Sequence, residues 1–561
     1  MAQDVKGDPL AVEIIERNNE LKNERNTWDT MWQDCANYVM PRKSDITEKK
    51  THDIEGWTQN VHNFTAVRSN YVLAAGQLNY ITPNNEVWGV YEPPSEQRDN
   101  EDAKMWFSQC TEIAMDFIKS SNFYQEVHEN YLNRGGFGTA CLLVEEGTDA
   151  KPLRFKSYDT GSYSVAENDE GLVDVFFLEC EFTARQAIKK FGEENVSKLI
   201  RECVGKEKQL GRKFDFIYAI FPREDSERMI GAEDSKNMPF ASVWIEKGAK
   251  KVTRESGFLE FPGGVTRYLK WGKAAYGYCP TVEALPLIRQ VNFIEQQLDA
   301  LAELAAFPRF FIPDTYEGEV DLRAGGATVI NSNDLARGIK PQEWMTQGSI
   351  NEGQERSDRK TQQIEEAFHV DLFNALAVRE KTMTATEVLE IVAEKLILFS
   401  PTFARLVTEQ LNPVMQRVFS ILLRMGKFPQ VPQGVIVPGA DGEPEVPTPT
   451  VNFVSKVALA TKAIENRSWQ QFWGILTTIL EVDPNAVDNV DVDKVVREVA
   501  KNLGLPSEFI ASKDAVTTKR QLREQQAQAE ATLEAMEKGG KGMKDLSQVD
   551  GGRMAGMLGG N

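Results

Sequence analysis

The spacing of apolar residues changes several times along the chain, and each change predicts a change of structure. In residues 9–40, Ile14, Ile15, Leu21, Trp28, Trp32 and Val39 recur among charged positions, which predicts one long helix stopped by Pro41. Residues 42–60 are polar and read as a loop. Residues 61–81 (VHNFTAVRSNYVLAAGQLNYI) predict a second helix, closed by Thr82-Pro83, and residues 100–120 and 122–133 predict two more. Gly135-Gly136-Phe137-Gly138 then breaks the chain before a strand, "TACLLVEEG". From 139 to 272 the apolar runs become short: "LRFKSY", "VDVFFLECEF", "FDFIYAIFP", "ASVWIEK" and "GFLEFP". They predict strands with one helix inserted at about 183–203, an α/β region of mixed topology.

A helical period returns at 281–306. Leu287, Val291, Ile294, Leu298, Leu301 and Ala305 form one stripe, with Arg289, Gln296, Asp299 and Glu303 off it, and Pro308 ends the helix. Residues 309–346 read as short strands and Gly-rich turns, and 349–373 as a helix that opens very polar. Next comes "REKTMTATEVLE", residues 379–390. Thr384 and Glu387 have the spacing of a capping box, which satisfies the first free N–H groups of a following helix. That leaves Arg379 and Lys381 without a local explanation. Beyond it, 385–398 reads as helix and Ser400-Pro401 as an interruption. A long helix then runs to about Met425, with a kink expected at Pro413. Residues 429–450 are Pro-rich and extended, "TVNFVSK" is a strand, and helices are expected at 457–481, 491–503 and 512–537. The Gly-rich end, 538–561, reads as disordered.

At 561 residues the chain exceeds one hydrophobic core, and two to four domains are expected. The six cysteines show no CxxC pair and read as free thiols. No apolar run reaches 18 residues, and the first residues do not resemble a signal peptide, so no membrane association is expected. The formal net charge is -20. Tight nucleic-acid binders present basic faces. This chain therefore either avoids nucleic acid or lets a polyanion pass without holding it.

Catalytic motifs are missing. The sequence has no GxxxxGK[ST], HExxH or GxSxG, and no Cys/His cluster with metal-ligand spacing, so neither a metal nor a cofactor is expected. "RGGFGTA" at 134–140 lies between a helix and a strand, the reverse of a dinucleotide-binding order, and reads as a turn. The positive signal is architectural. Two helices of similar length, 281–306 and 349–373, bracket a small strand-rich module. Such a pair suits an αα-hairpin packed on one neighbour at each side, as in a ring of identical subunits, or an ordinary hairpin packed on its own domain. The residues leave both readings open.

Several segments together resemble the portal, or head-to-tail connector, proteins of short-tailed (podovirus, T7-like) phages, over about 8–505. They are "TAVRSNYVLAAGQLNYITPNNEVWG", "GFGTACLLVEEG", "VDLRAGGATVIN", "AFHVDLF" and "MTATEVLEIVAEKLILFSPTFARLVTEQLNPVMQRVFSILLRMG". The resemblance implies an α+β portal fold assembling as a dodecameric ring. Residues 1–280 and 385–455 would build the wing, 281–306 and 349–373 the stem, and 307–348 the clip. Residues 374–384 would form the tunnel loop, and 456–537 the crown. The helix at 512–537 suits either a C-terminal barrel or partial disorder.

By the same resemblance, Asn374, Arg379, Glu380, Lys381 and Thr382 would face DNA from the tunnel loop. Arg356, Arg359, Lys360 and Gln363 are candidates for a channel-lining stem. Arg309, Asp321, Arg323, Asn331 and Asn333 would contact terminase and later the tail adaptor from the clip. The implied partners are further copies of the chain, double-stranded DNA passing without sequence specificity, the major capsid protein, terminase, a tail adaptor, and scaffolding and internal core proteins. The implied location is the capsid vertex of a virion assembled in the host cytoplasm, with no catalysis. A nuclease or packaging ATPase and another virion component, a tail adaptor or internal core protein, stand as alternatives. The absent P-loop and the absence of a recognisable Mg²⁺-binding carboxylate cluster oppose the first, and the length of the chain opposes the second.

Overall fold

The computed structural model of the protein describes residues 7–48, 58–98, 100–204, 211–224, 226, 234–306, 310–315, 319–321, 328–343, 350–377, 398–438, 444–454, 472, 474, 476, 490–502 and 516–530. In chain order, α1 (Pro9–Val39), α2 (Thr65–Tyr80), β1 (Gly89–Glu92), α3 (Glu101–Ser120) and α4 (Phe123–Phe137) precede a β-rich stretch. That stretch holds β2 (Thr139–Thr148), β3 (Lys151–Tyr158), β4 (Tyr163–Glu167), β5 (Val173–Thr183), α5 (Ala184–Phe191), α6 (Lys198–Val204), β6 (Lys213–Pro222), β7 (Phe240–Glu246), β8 (Lys251–Phe258) and β9 (Gly263–Arg267). Next come α7 (Pro280–Ala306), β10 (Phe310–Phe311), α8 (Ser332–Ala336), β11 (Gln342–Glu343), α9 (Ile350–Ala367) and α10 (Val370–Ala377). Residues 398–406 are helical and run through a π-helical turn, Val407–Leu411, into α11 (Asn412–Arg424). The described chain ends with β12 (Val437–Pro438), β13 (Pro444–Glu445), β14 (Thr450–Phe453), α12 (Val492–Asn502) and helical residues 516–530.

The chain divides into two compact units. The first comprises Met1–Glu92, Gln109–Gln430 and Thr448–Glu465, and the second Pro93–Ser108, Val431–Pro447 and Asn466–Asn561. In the second, Arg520 pairs with Asp493 at 2.6 Å, and among the described residues 517–530 every side chain is exposed. That agrees with the lack of an apolar stripe in this stretch.

In the first unit the strands form a three-stranded sheet, β3-β2-β9, and a five-stranded sheet, β4-β5-β6-β7-β8. Among the described residues every pairing in these sheets is antiparallel, so the mixed topology expected from sequence is corrected: β4 to β8 form a meander, and β9 returns to pair with β2. Successive side chains of β5 and β6 serve different faces. Phe176, Leu178, Tyr218 and Ile220 pack with Trp32, Phe137, Cys141 and Tyr276, whereas Val175, Phe177, Ile217 and Ala219 pack with Ala11 and Ile14 of α1. The two ends of α1 thus serve two cores. Its buried side also carries Asn18, Arg25 and Asp29, which blurs the apolar stripe. Arg25 and Asp29 pair at 2.9 Å, and Arg25 donates to the Tyr163 carbonyl, so these polar groups are buried in partnership.

Other expectations are corrected. The single helix at 183–203 is two, α5 and α6, and the Thr183/Gln186 capping box that opens α5 is formed. The strand expected at "GFLEFP" lies earlier, in the more polar β8, and is followed by the short β9. Helix α4 continues through Gly135-Gly136 and ends at Phe137, so the break is at Gly138 alone, with φ 82°. The two earlier glycines are packing residues. A Cβ on Gly135 would stand 2.2 Å from Asn70 Oδ1, and one on Gly136 2.3 Å from Met40 Sδ. The helix runs through Ser400-Pro401, and the distortion expected at Pro413 is a π-turn immediately before it. Pro413 lies in the first turn of α11 and has no N–H to give the preceding turn.

Candidate functional site

Helices α7 and α9 lie antiparallel. Ser357 Oγ donates to Glu295, and Lys360 Nζ donates to Gln290 Oε1 at 2.6 Å, which sets the register of the pair. Gly353 lies against Leu298, and Ile364 is buried. The long helices form because each buries a narrow stripe and leaves the rest polar. The side of α7 that packs inward is Ala284, Leu285, Ile288 and Val291 with Asn292, so the stripe read from sequence shares only Val291 with the buried set. Asn292 holds the pair to the rest of the unit. Its Oδ1 accepts from the backbone N–H groups of His62 (2.7 Å) and Asn63 (2.9 Å), and its Nδ2 donates to the Ile288 carbonyl. Sequence reading placed residues 61–64 inside a helix, but α2 starts at Thr65, which frees those N–H groups for Asn292.

The helix expected over 349–373 is interrupted. Helix α9 ends at Ala367, His369 adopts φ 55°, and α10 starts at Val370. The ring of Phe373 in α10 stacks on Tyr80 and meets Phe399 edge-on, and His369 also meets Phe399 edge-on. Burial pushes the His369 pKa down, which favours a neutral ring in this aromatic setting.

Beyond α10, the helix 398–411 is clamped by two buried arginines. Arg134, at the end of α4, donates to the Thr402 carbonyl at 2.7 Å and lies under the Tyr268 ring. Burial pushes its pKa down to about 10. Arg267 of β9 grips Glu409 in the π-turn: Nε donates to Oε2 at 3.0 Å and Nη2 to Oε1 at 2.7 Å. The Arg267 backbone N–H adds a third bond at 2.7 Å, and Arg405 a fourth. Arg267 also pairs with Glu167, which Lys270 holds at 2.6 Å. Sequence singles out this stretch through Ser400-Pro401, Pro413 and its part in the family resemblance, and none of these points to a charge cluster. The charge cluster comes from residues 167, 267, 270, 405 and 409, too far apart in sequence to be read as one group.

The residues singled out by sequence are placed as follows. Arg356, Arg359 and Gln363 are exposed on α9. Lys360 is half-buried and hydrogen-bonded to Gln290 of α7. Asn374, expected in a loop, is exposed within helix α10. Asn331 caps α8 by accepting from the Asn333 N–H at 3.2 Å, and the Asp321 N–H donates to Thr328. The β10–β11 pairing closes this small module. Arg309, Arg323, Arg379, Glu380, Lys381, Thr382, the Thr384–Glu387 box and the end 538–561 lie outside the described residues. Among the described residues no group of acidic, His or Cys side chains could hold a metal ion, and no helix is long and apolar enough to cross a membrane.

Three comparisons bear on this architecture. The family model described as bacteriophage head to tail connecting protein matches residues 11–510. The chain is 27% identical to the portal protein of Salmonella phage epsilon15 over 542 residues, 96% of this chain and 95% of that protein. It is also 27% identical, over the same shares, to the probable portal protein of Bordetella phage BPP-1. Among solved structures, a chain in the neck of an empty GTA particle computed with C6 symmetry aligns over 79% of this chain and 90% of its own. The TM-score is 0.34 and the identity 12%. The match over residues 11–510 covers both the helix pair and the clamped helix, and the chain belongs to the bacteriophage head to tail connecting protein family.

Proposed function

We propose that this chain is a portal subunit, a structural element of the virion with no catalysis of its own, which forms a ring through which viral DNA is packaged and ejected. The observation that carries the reading is the similarity to two phage portal proteins along 96% of the chain. On this reading α7 and α9 are the stem, and the module holding β10, α8 and β11 is the clip. Arg309, Asp321, Arg323, Asn331 and Asn333 there meet terminase during packaging and a tail adaptor afterwards. The major capsid protein surrounds the ring, with scaffolding and internal core proteins assisting assembly. Residues 1–280 and 385–455 are the wing, and 456–537 the crown.

The tunnel loop falls in 374–384, of which α10 takes the residues up to Ala377. Arg379, Glu380, Lys381 and Thr382 face the duplex, with Asn374 at the helix leading into it, and Arg356, Arg359, Lys360 and Gln363 are the candidates for the wall beyond. Twelve copies at a formal -20 give 12 × -20 = -240 for the ring. Such a wall repels a polyanion, and the few loop cations make weak, salt-screened contacts.

Single-particle electron microscopy of the purified full chain tests the reading. Rings with a central hole of about 20 Å or more, wide enough for duplex DNA, are expected. Compact monomers under all assembly conditions, including with capsid protein present, would overturn it. For the tunnel loop, Arg379→Glu with Lys381→Glu is expected to leave ring assembly intact and impair DNA packaging or retention. Normal packaging by that variant would remove the loop assignment.

A further inference from the structure

Phe293 lies on α7 with 62% of its surface exposed, next to the anchored Asn292. A single exposed apolar side chain is ordinary on a protein surface, so Phe293 points to a partner only together with chemistry that matches it. The hairpin register supplies that chemistry. Ser357 bonds to Glu295 across the seam. Phe293 is two residues before Glu295, and Arg359 is two residues after Ser357. In antiparallel helices this puts the two side chains at the same height. Two residues also turn each helix by about 200°, so both point away from the seam, on opposite outer edges of the hairpin.

The two helices differ in charge too. Arg356 and Arg359 have no carboxylate partner among the described residues, although Arg359 Nε donates to the Glu355 carbonyl at 3.3 Å. Asp299 and Glu303, off the seam of α7, have no cation partner among the described residues. Arg289, the exposed cation beside Phe293, is already paired with Asp34 at 2.8 Å. The α9 edge thus offers unused cations and the α7 edge an exposed ring, with Glu303 and Asp299 about 80° and 120° round α7 from that ring.

We infer that these two edges meet in adjacent copies of this chain, with Arg359 of one subunit stacked on Phe293 of the next. This rests on the ring reading above and names the contact between neighbours. A guanidinium over an aromatic face is attractive and tolerates partial hydration. A head-to-tail contact between different surfaces repeats from copy to copy, and it gives a ring when the rotation between copies closes. Arg359 then serves the neighbour, with Arg356 and Gln363 lying about 60° and 40° round α9 from it.

The test is a cross-link. In the double variant Phe293→Cys/Arg359→Cys the two thiols stand on opposite outer edges of one hairpin, each helix being about 10 Å across. They cannot meet within a subunit, because a disulfide needs Cα atoms within about 7 Å. Mild oxidation of the assembled full chain is expected to produce a ladder of covalent oligomers ending at the ring's copy number. Each single-cysteine variant should give no ladder. Phe293→Asp is expected to reduce ring assembly at least tenfold while the monomer's circular dichroism and melting stay unchanged. If wild-type rings form but the double variant gives no ladder, or Phe293→Asp assembles normally, the contact is refuted and the ring reading stands. If wild type forms no rings, the reading beneath the contact falls with it.

Discussion

Arg267 and Glu409 meet in a fully buried two-toothed ion pair, with Nη2 to Oε1 at 2.7 Å and Nε to Oε2 at 3.0 Å. The pair joins the last strand of the three-stranded sheet to the π-turn of the helix that follows residues 378–397. Removing Glu409 takes from buried Arg267 its two-toothed partner and leaves it Glu167 as the remaining carboxylate. Glu409→Leu is therefore expected to destabilise the chain by about 3–5 kcal/mol. The double replacement Arg267→Met/Glu409→Leu should be milder than the sum of the single changes, because no lone charge remains at that pair. Urea denaturation of the four proteins in a double-mutant cycle measures the coupling.

The π-turn aims Glu409 at Arg267. Its extra residue is absorbed between Val407 and Leu411, and Thr408 within it is exposed. Deleting Thr408 should restore α-helical register and rotate one side of the turn by about 100° relative to the other. The expected result is loss of the Arg267–Glu409 pair and destabilisation comparable to Glu409→Leu. A deletion that keeps wild-type stability would show that the turn does not place this carboxylate.

Phe373 docks α10 on α2 by lying directly over Gly76. A Cβ added at Gly76 would stand 2.2 Å from Phe373 Cδ1, and the ring also stacks on Tyr80. Gly76→Ala is expected to push α10 off α2 and destabilise by about 1–3 kcal/mol through overpacking. Gly76→Ala with Phe373→Leu should recover part of the loss, and thermal melting of both variants checks this.

Glu179 carries an acid-sensitive tie between α1 and the five-stranded sheet. Burial raises its pKa, but hydrogen bonds from Lys22 at 2.8 Å and Lys247 at 2.9 Å outweigh this and bring it to about 2. The folded value lies below the ordinary 4.5, so the contribution is complete above pH 4.5 and is lost as pH falls toward 2. With both lysines partly in solvent it amounts to about 1–2 kcal/mol. Glu179→Gln should be less stable than wild type at pH 5, and the difference should shrink as the pH falls to 2. Stability curves of the two proteins across that range decide it.

Legibility from sequence followed the locality of the cause. Helix α1 was readable because its apolar residues recur among charges and Pro41 stops it, and α7 because its helical period and Pro308 are local signals. Helix α4 was cut short because Gly135-Gly136 reads as a break. Only the packing of Asn70 and Met40 against that helix shows why glycine is needed there. Strand β8 was displaced because its run KVTRESGF is mostly polar, and its pairing with β7 settles it. Lys360 looked like the other cations of α9 until Gln290 stood opposite it.

Order and spacing of short segments were enough to indicate the family, because a chain that must build a helix pair around a small module keeps those local signals in order. Composition also bounded the chemistry, through a net charge of -20 and the absence of catalytic motifs. Tertiary structure alone decided the rest. Arg134, Arg267 and Glu409 are buried because residues 134, 267, 402 and 409 converge, and sequence periodicity carries no information about that convergence. The outer edges holding Phe293 and Arg359 likewise exist only once Ser357 has set the register of α9 against Glu295. A helix pattern states which side of a helix is apolar, but the height and direction in which two helices meet are set by side-chain packing between them.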